Sequence, residues 1–143
     1  MLQLVLGDLL EVKTQYLAHQ CNCITKTARG LAAQVFDTYP EANVYKKRSH
    51  PSTLGTIQVV GRVINMFAQY EPGAPGFETR ASRLEAFRKC LVDIEQLPEL
   101  QSIAFPYGIG CGLARGYWTD YQTVLEEFSS RLPQVQVFLV KEP

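Results

Sequence analysis

The chain has 143 residues, 46% of them apolar and 20% charged, which is enough for one domain with a real core and typical of a globular protein. Basic and acidic side chains balance at 14 each, and the densest basic run is Lys46-Lys47-Arg48. Direct binding of nucleic acid by phosphate neutralisation needs a positive face that this composition does not offer, and no apolar stretch approaches the ~18 residues of a bilayer span.

LQLVL (2–6) is a short apolar run ending at the turn signal Gly7-Asp8. The surrounding MLQLVLGDLLEV lacks a basic leader and holds Asp8 and Glu11 among its apolar residues, so it does not read as a signal peptide. An intracellular protein, cytoplasmic or nuclear, is expected. YLAHQCN (16–22) reads as a second, mostly buried strand. RGLAAQVFDTYP (29–40) is helical, with Leu31, Val35 and Phe36 on one face and Pro40 as its stop. EANVYKKRSH (41–50) follows as a short polar helix. TIQVVG and RVINMFA meet at Gly61-Arg62 as a hairpin.

YEPGAPGF (70–77), with two prolines and two glycines, is the strongest loop. It either covers a ligand or is simply solvated. The next segment, 78–97, places Leu84, Phe87, Leu91 and Ile94 at helical spacing, with Thr79 as a candidate cap. QSIAFPY (101–107) is a strand. Residues 118–131 form a helix with Tyr121, Val124, Leu125 and Phe128 on one stripe, and VQVFLV (135–140) is the last strand. Strands and helices alternate around one hairpin. The fold class is therefore an α/β sandwich of three layers: a central mixed sheet with helices on both faces, in a single domain over 1–143. In such sheets ligands bind outside the carboxyl ends of the strands. The loops 23–30 and 108–116 both follow strands and precede helices, so they belong on that edge.

Residues 108–116 read GIGCGLARG. Glycine permits positive φ and close approach of a ligand, at a folding cost of roughly 0.5–1 kcal/mol relative to alanine in regular structure. Successive N–H groups can form an anion nest, with the dipole of the following helix behind them. Neither familiar phosphate motif fits. No G-x-x-x-x-G-K-[ST] run exists, and Leu113 stands where a G-x-G-x-x-G fingerprint needs its third glycine.

Gly7-Asp8-Leu9, LAHQCNCITKTARGLAAQVF (17–36) and IGCGLARGYW (109–118), taken together, resemble the macrodomain family over most of the chain. The similar branches are terminal ADP-ribose glycohydrolases, antitoxins that strip ADP-ribose from DNA, and ADP-ribose-1″-phosphate phosphatases. The resemblance implies binding of ADP-ribose or an ADP-ribosylated substrate across the carboxyl edge of the sheet, with no cofactor. Gly7, Asp8 and Leu9 would meet the adenine and Asn22 the distal ribose. Arg29, Gly30 and Leu31 would pass over the diphosphate and the distal ribose. Gly108, Ile109, Gly110, Cys111, Gly112 and Leu113 would form the second phosphate loop. Two positions depart from the glycohydrolase branch: Gln69 stands near its lysine and Ala114 at its aspartate, so a lysine nucleophile forming a Schiff base is missing.

Asn22 and His19 are the candidate catalytic residues. His19 either serves as nucleophile or general acid, as in the phosphatase branch, or is a hydrogen-bonded strand histidine. His19, Cys21 and Cys23 lack zinc-finger spacing, so no metal is expected. Cys111 is either a thiol activated by the anion nest or small packing. Tyr107, Tyr117 and Trp118 could stack on a ribose or base, or anchor the core. The expected function is binding of ADP-ribose or a derivative, with hydrolysis of an ADP-ribosyl adduct or of ADP-ribose-1″-phosphate. The competing reading is a non-catalytic reader or scavenger of ADP-ribose.

Overall fold

A computed structural model describes residues 1–143. Six strands form one sheet in the order β1-β6-β5-β2-β4-β3. They are β1 (Leu2–Leu6), β2 (Tyr16–Cys21), β3 (Ile57–Val60), β4 (Val63–Phe67), β5 (Ser102–Pro106) and β6 (Gln136–Lys141). Every neighbouring pair is parallel except the β3–β4 hairpin, whose Val60 and Val63 face each other across Gly61-Arg62. The sheet is mixed, as the alternation of elements predicts.

The helices are α1 (Gly30–Thr38), α2 (Val44–Lys47), α3 (Arg80–Glu95) and α4 (Trp118–Ser130). They cover both faces and create two cores. On one face α3 and α4 bury Phe87, Leu91, Ile94, Leu125 and Phe128 against Ala18, Ile64, Ile103 and Val137. On the other, Val35 and Phe36 of α1, with Ala42 and Tyr45, cover Leu17, Cys21, Val63 and Ala104. Adjacent strand residues such as Leu17 and Ala18 thus enter opposite cores, as the period of two requires.

Two elements are shorter than the sequence suggests. Pro40 ends α1 and also opens a single 3-10 turn, Pro40–Ala42, because proline is well tolerated at a first helical position. The polar helix expected over 41–50 shrinks to the four residues of α2, started by Asn43, whose side chain accepts from the Lys46 amide at 3.1 Å. Helix α3 starts with a full capping box: the Thr79 hydroxyl accepts from the Ser82 amide, and the Ser82 hydroxyl accepts from the Thr79 amide.

One detail of register positions the site. β2 pairs with β5 only at Tyr16–Ile103 and Leu17–Ala104, although β2 runs to Cys21 and β5 to Pro106. On its other side β2 stays paired with β4 as far as Cys21–Phe67. The carboxyl ends of β2 and β5 therefore part from one another, leaving room between them at the centre of the sheet edge.

Candidate functional site

A cavity of about 960 Å3 opens where β2 and β5 diverge. Gln20 and Asn22 at the end of β2 line one side, and Pro106 and Tyr107 at the end of β5 line the other. The 23–30 loop adds Lys26 and Arg29, the glycine loop adds Gly108, Gly110 and Gly112, and the 70–77 loop adds Pro72, Gly73 and Ala74. A second hollow of about 280 Å3 lies at the ends of β1 and β6, lined by Gly7, Asp8, Leu9 and Lys141. Leu31, Pro106 and Tyr107 line both, so the two hollows are adjacent parts of one trough along the sheet edge. The larger hollow alone falls in the range of small-molecule sites, about 300–1,000 Å3.

Backbone donors dominate the middle of the trough. α1 starts at Arg29 without any side-chain cap, and Arg29, Gly30, Leu31 and Ala32 all line the cavity. Its first amides are therefore free to meet an anion, with the positive end of the helix behind them. Across from them, the Cys111 amide is used up on the Gly108 carbonyl and the Gly116 amide on that of Gly110, whereas Gly110, Gly112, Leu113 and Ala114 donate to no backbone carbonyl. The Leu113 side chain reaches over to Gly30, within 3.2 Å of where a Cβ there would stand, so the two loops touch above the trough. The helix dipole comes from α1 rather than from α4, since no residue of α4 lines either hollow. This corrects the expectation that the helix after the glycine loop supplies it.

The four glycines of 108–116 have separate causes. Gly108 and Gly110 have φ of 81° and 80°, in the left-handed region. A Cβ on Gly110 would stand 2.5 Å from the Tyr121 ring, and one on Gly116 would stand 2.5 Å from the Gly110 carbonyl oxygen. Gly112 faces open space. Only Gly112 is thus left free for a ligand alone. Arg115 is itself left-handed at φ 63°, an uncommon state for a residue with a side chain, and it sits on the cavity wall.

Asn22 lines the cavity, and its side chain also builds the loop. The Oδ1 atom accepts from the amides of Ile24 (3.0 Å) and Thr25 (2.9 Å), and Nδ2 donates to the Thr25 hydroxyl (2.9 Å). Below it, Gln20 Nε2 donates to Gln69 Oε1 at 2.8 Å, and Gln69 Nε2 to the Glu71 carbonyl at 2.9 Å. An amide pair thus occupies the place near which the glycohydrolase branch carries its lysine. Ala114 lines the cavity with no carboxylate to offer.

His19 is corrected from candidate catalyst to core residue. It is 1% exposed, packs edge-on against Phe36 and lies outside both hollows. Its Nε2 donates to Asn65 Oδ1 at 2.6 Å, and Asn65 is oriented by donating its own amide to the Ala42 carbonyl and Gln58. The nearest acceptor for a proton on Nδ1 is the Cys21 thiol, 3.9 Å away. Burial therefore lowers the His19 pKa to about 4, against the opposing effect of the Asn65 bond. The unfolded chain takes up a proton near pH 6.5 and the folded one only near 4, so stability is complete above about 6.5 and falls as pH drops through that window. We expect urea midpoints to fall between pH 7 and pH 4, by an amount equivalent to about 3 kcal/mol, relative to a His19→Gln variant measured alongside. Parallel curves for the two proteins would show that the ring is not buried in its neutral form.

Cys111 is also corrected. It does not line the cavity, its thiol donates to the Ile109 carbonyl, and burial first, then Asp120, pushes its pKa up to about 11. It is a packing residue. All four cysteines are free, and Cys21, Cys23 and Cys90 are buried. Tyr107 is on the trough wall, its ring tilted against that of half-buried Trp118 with centroids 4.8 Å apart and capped by the Lys141 ammonium at 4.7 Å. Tyr117 faces solvent under the Arg80 guanidinium.

The most important residue missed by sequence pattern is Arg83, 1% exposed, whose guanidinium joins the loops on both sides of the cavity. A signal for it existed. Residues 83, 87, 90 and 94 continue one helical stripe, so a charged residue stood on the buried face of α3.

The class of domain defined here is a three-layer α/β/α sandwich with an anion-ready trough across the carboxyl edge of its sheet. No family model matches the chain. An uncharacterized 17.5 kDa protein of enterobacteria phage T4 is 24% identical over 148 residues, covering 92% of both chains. The DarG macrodomain of Thermus aquaticus superposes with a TM-score of 0.76 at 24% identity, over 100% of this chain and 99% of that one. The DarG macrodomain of Mycobacterium tuberculosis gives 0.73 at 22%, over 100% and 98%. A mutant macrodomain of Oceanobacillus iheyensis with ADPR gives 0.68 at 15%, over 99% and 84%. This chain has the macrodomain fold.

Proposed function

We propose that the trough binds ADP-ribose, free or as an ADP-ribosyl group on a larger molecule. The observation that carries this reading is the continuity of the two hollows past α1's uncapped first turn and the free amides of Gly110 and of 112–114. Asp8 and Leu9 at the β1–β6 end suit an adenine. The backbone amides at the centre suit a diphosphate. The Asn22, Gln20 and Gln69 amides at the β2–β4 end suit the hydroxyls of a second ribose. The likeness to a macrodomain solved with ADPR supports ADP-ribose as the ligand class.

The leading chemical reading is hydrolytic removal of what is attached to the distal ribose. Asn22 and the two glutamines would fix a water near the reacting carbon or phosphorus, and the ligand's own diphosphate would help orient it. Water adds at that atom as the bond to the leaving group breaks, and the leaving group departs with the proton the water releases. A second reading, retention of ADP-ribose without turnover, is favoured by one observation: the main cavity is lined by no carboxylate and no histidine. Calorimetric titration with ADP-ribose, ADP and AMP tests the site. We expect ADP-ribose to bind at least tenfold more tightly than AMP. No heat from any of the three, with folded protein, would defeat the proposal. Incubation with ADP-ribose-1″-phosphate and with ADP-ribosylated protein and DNA then separates turnover from retention.

A further inference from the structure

Arg83 leaves the first turn of α3 and hydrogen-bonds both the 70–78 loop and the end of the glycine loop. Its Nη1 donates to the carbonyls of Gly73 (2.6 Å) and Ala114 (3.1 Å), its Nη2 to the Glu71 carbonyl (3.0 Å), and its Nε to Glu78 Oε1 (3.0 Å). Glu78 in turn accepts from the amides of Tyr70 and Glu71, while the Glu71 carboxylate accepts from those of Gly76 and Glu78. The 70–78 loop is thus folded around one guanidinium and two carboxylates. Through Ala114 the same guanidinium fixes the end of the glycine loop, where left-handed Arg115 also has its carbonyl held by Arg80 at 2.7 Å. The Glu71 carbonyl that receives Nη2 also receives Gln69, so the brace continues through Gln69 to Gln20 at the cavity wall.

The groups joined in this way are Gly73, Ala114, Arg115, Gln69 and Gln20, all on the cavity at the β2–β4 end. None lines the hollow at the β1–β6 end. We infer that Arg83 is a positioning residue: it sets the spacing of the two loops that wall the distal half of the trough, and so sets affinity for the distal ribose while leaving the adenine half alone. Lysine cannot replace it, because a single ammonium cannot span three carbonyls and a carboxylate as a planar five-donor fork does. The inference rests on the ADP-ribose reading for the ligand, but the bracing itself does not.

The test uses the full chain with Arg83→Lys, and Glu78→Gln as a milder variant should the first not fold. Amide hydrogen exchange is followed across the chain, and ADP-ribose and AMP are titrated by calorimetry. The expected result is exchange at least tenfold faster at the hydrogen-bonded amides of both 70–78 and 115–116, unchanged exchange in β1 and β6, ADP-ribose affinity down about tenfold, and AMP affinity unchanged. Unaltered exchange in either loop overturns the inference, and so does an equal loss for AMP and ADP-ribose. If both loops loosen while even the wild-type chain ignores ADP-ribose, the brace stands and the ADP-ribose reading falls.

Discussion

Gly110→Ala destabilises the protein by about 2–5 kcal/mol, a large part of the roughly 5–15 kcal/mol that holds a domain of this size together. Two effects add. Gly110 has φ of 80°, where a Cβ meets its own backbone at a cost of about 1–2 kcal/mol. The new carbon would also stand 2.5 Å and 2.7 Å from two carbons of the Tyr121 ring. That ring cannot swing away: it is 2% exposed and packs edge-on against Phe87 at 4.8 Å. Forcing a methyl into such packing typically costs about 1–3 kcal/mol. Urea denaturation measures the sum, and the thermal midpoint should drop by roughly 5–20 °C. A change below about 0.5 kcal/mol would mean that the close approach of the loop to Tyr121 is wrong.

That result bears on how much could be read from the sequence. The elements and layers were legible because they rest on local period: Tyr121, Val124, Leu125 and Phe128 recur at helical spacing and are all buried. The trough was legible as a place, since both glycine-bearing loops follow parallel strands. The cause of the glycines was not. Their density looks like a ligand signature, yet Gly110 and Gly116 are small because a tyrosine on the next helix lies against them. That contact depends on how α4 returns to the sheet, which no local pattern reports.

His19 stayed between two readings, catalyst or hydrogen-bonded strand residue, for a related reason. Its parity with buried Leu17 and Cys21 places it on one core face, but the motif around it resembles a catalytic one, and only the third dimension shows Phe36 closing over the ring. Arg83 is the opposite case. Its bond to Ala114 spans 31 residues, so its partners were invisible, although its place on the buried stripe of α3 was not. Buried polar groups must find partners, and a charge on an apolar stripe is therefore a sign of a network.

Gly112→Val should separate binding from folding. Gly112 lines the cavity, its φ lies outside the left-handed region, and an added Cβ meets nothing within 4 Å. The substitution thus strains no backbone and displaces no core atom, and surface changes of that kind usually alter stability by no more than about 0.5 kcal/mol. Two methyl groups then fill the space in front of the free amides of 112–114, opposite the start of α1. A diphosphate held there would lose two or so charge-assisted hydrogen bonds, each about 1.5–3 kcal/mol. We expect ADP-ribose affinity to fall by roughly 100-fold or more, at about 1.4 kcal/mol per factor of ten, with the thermal midpoint of the free protein unchanged. AMP, which would sit chiefly in the hollow of Gly7, Asp8 and Leu9, should lose far less. Equal losses for both ligands would move the diphosphate away from the glycine loop. Full affinity for ADP-ribose in a folded Gly112→Val protein would remove the loop from the site and leave α1's first turn as the anion's only support.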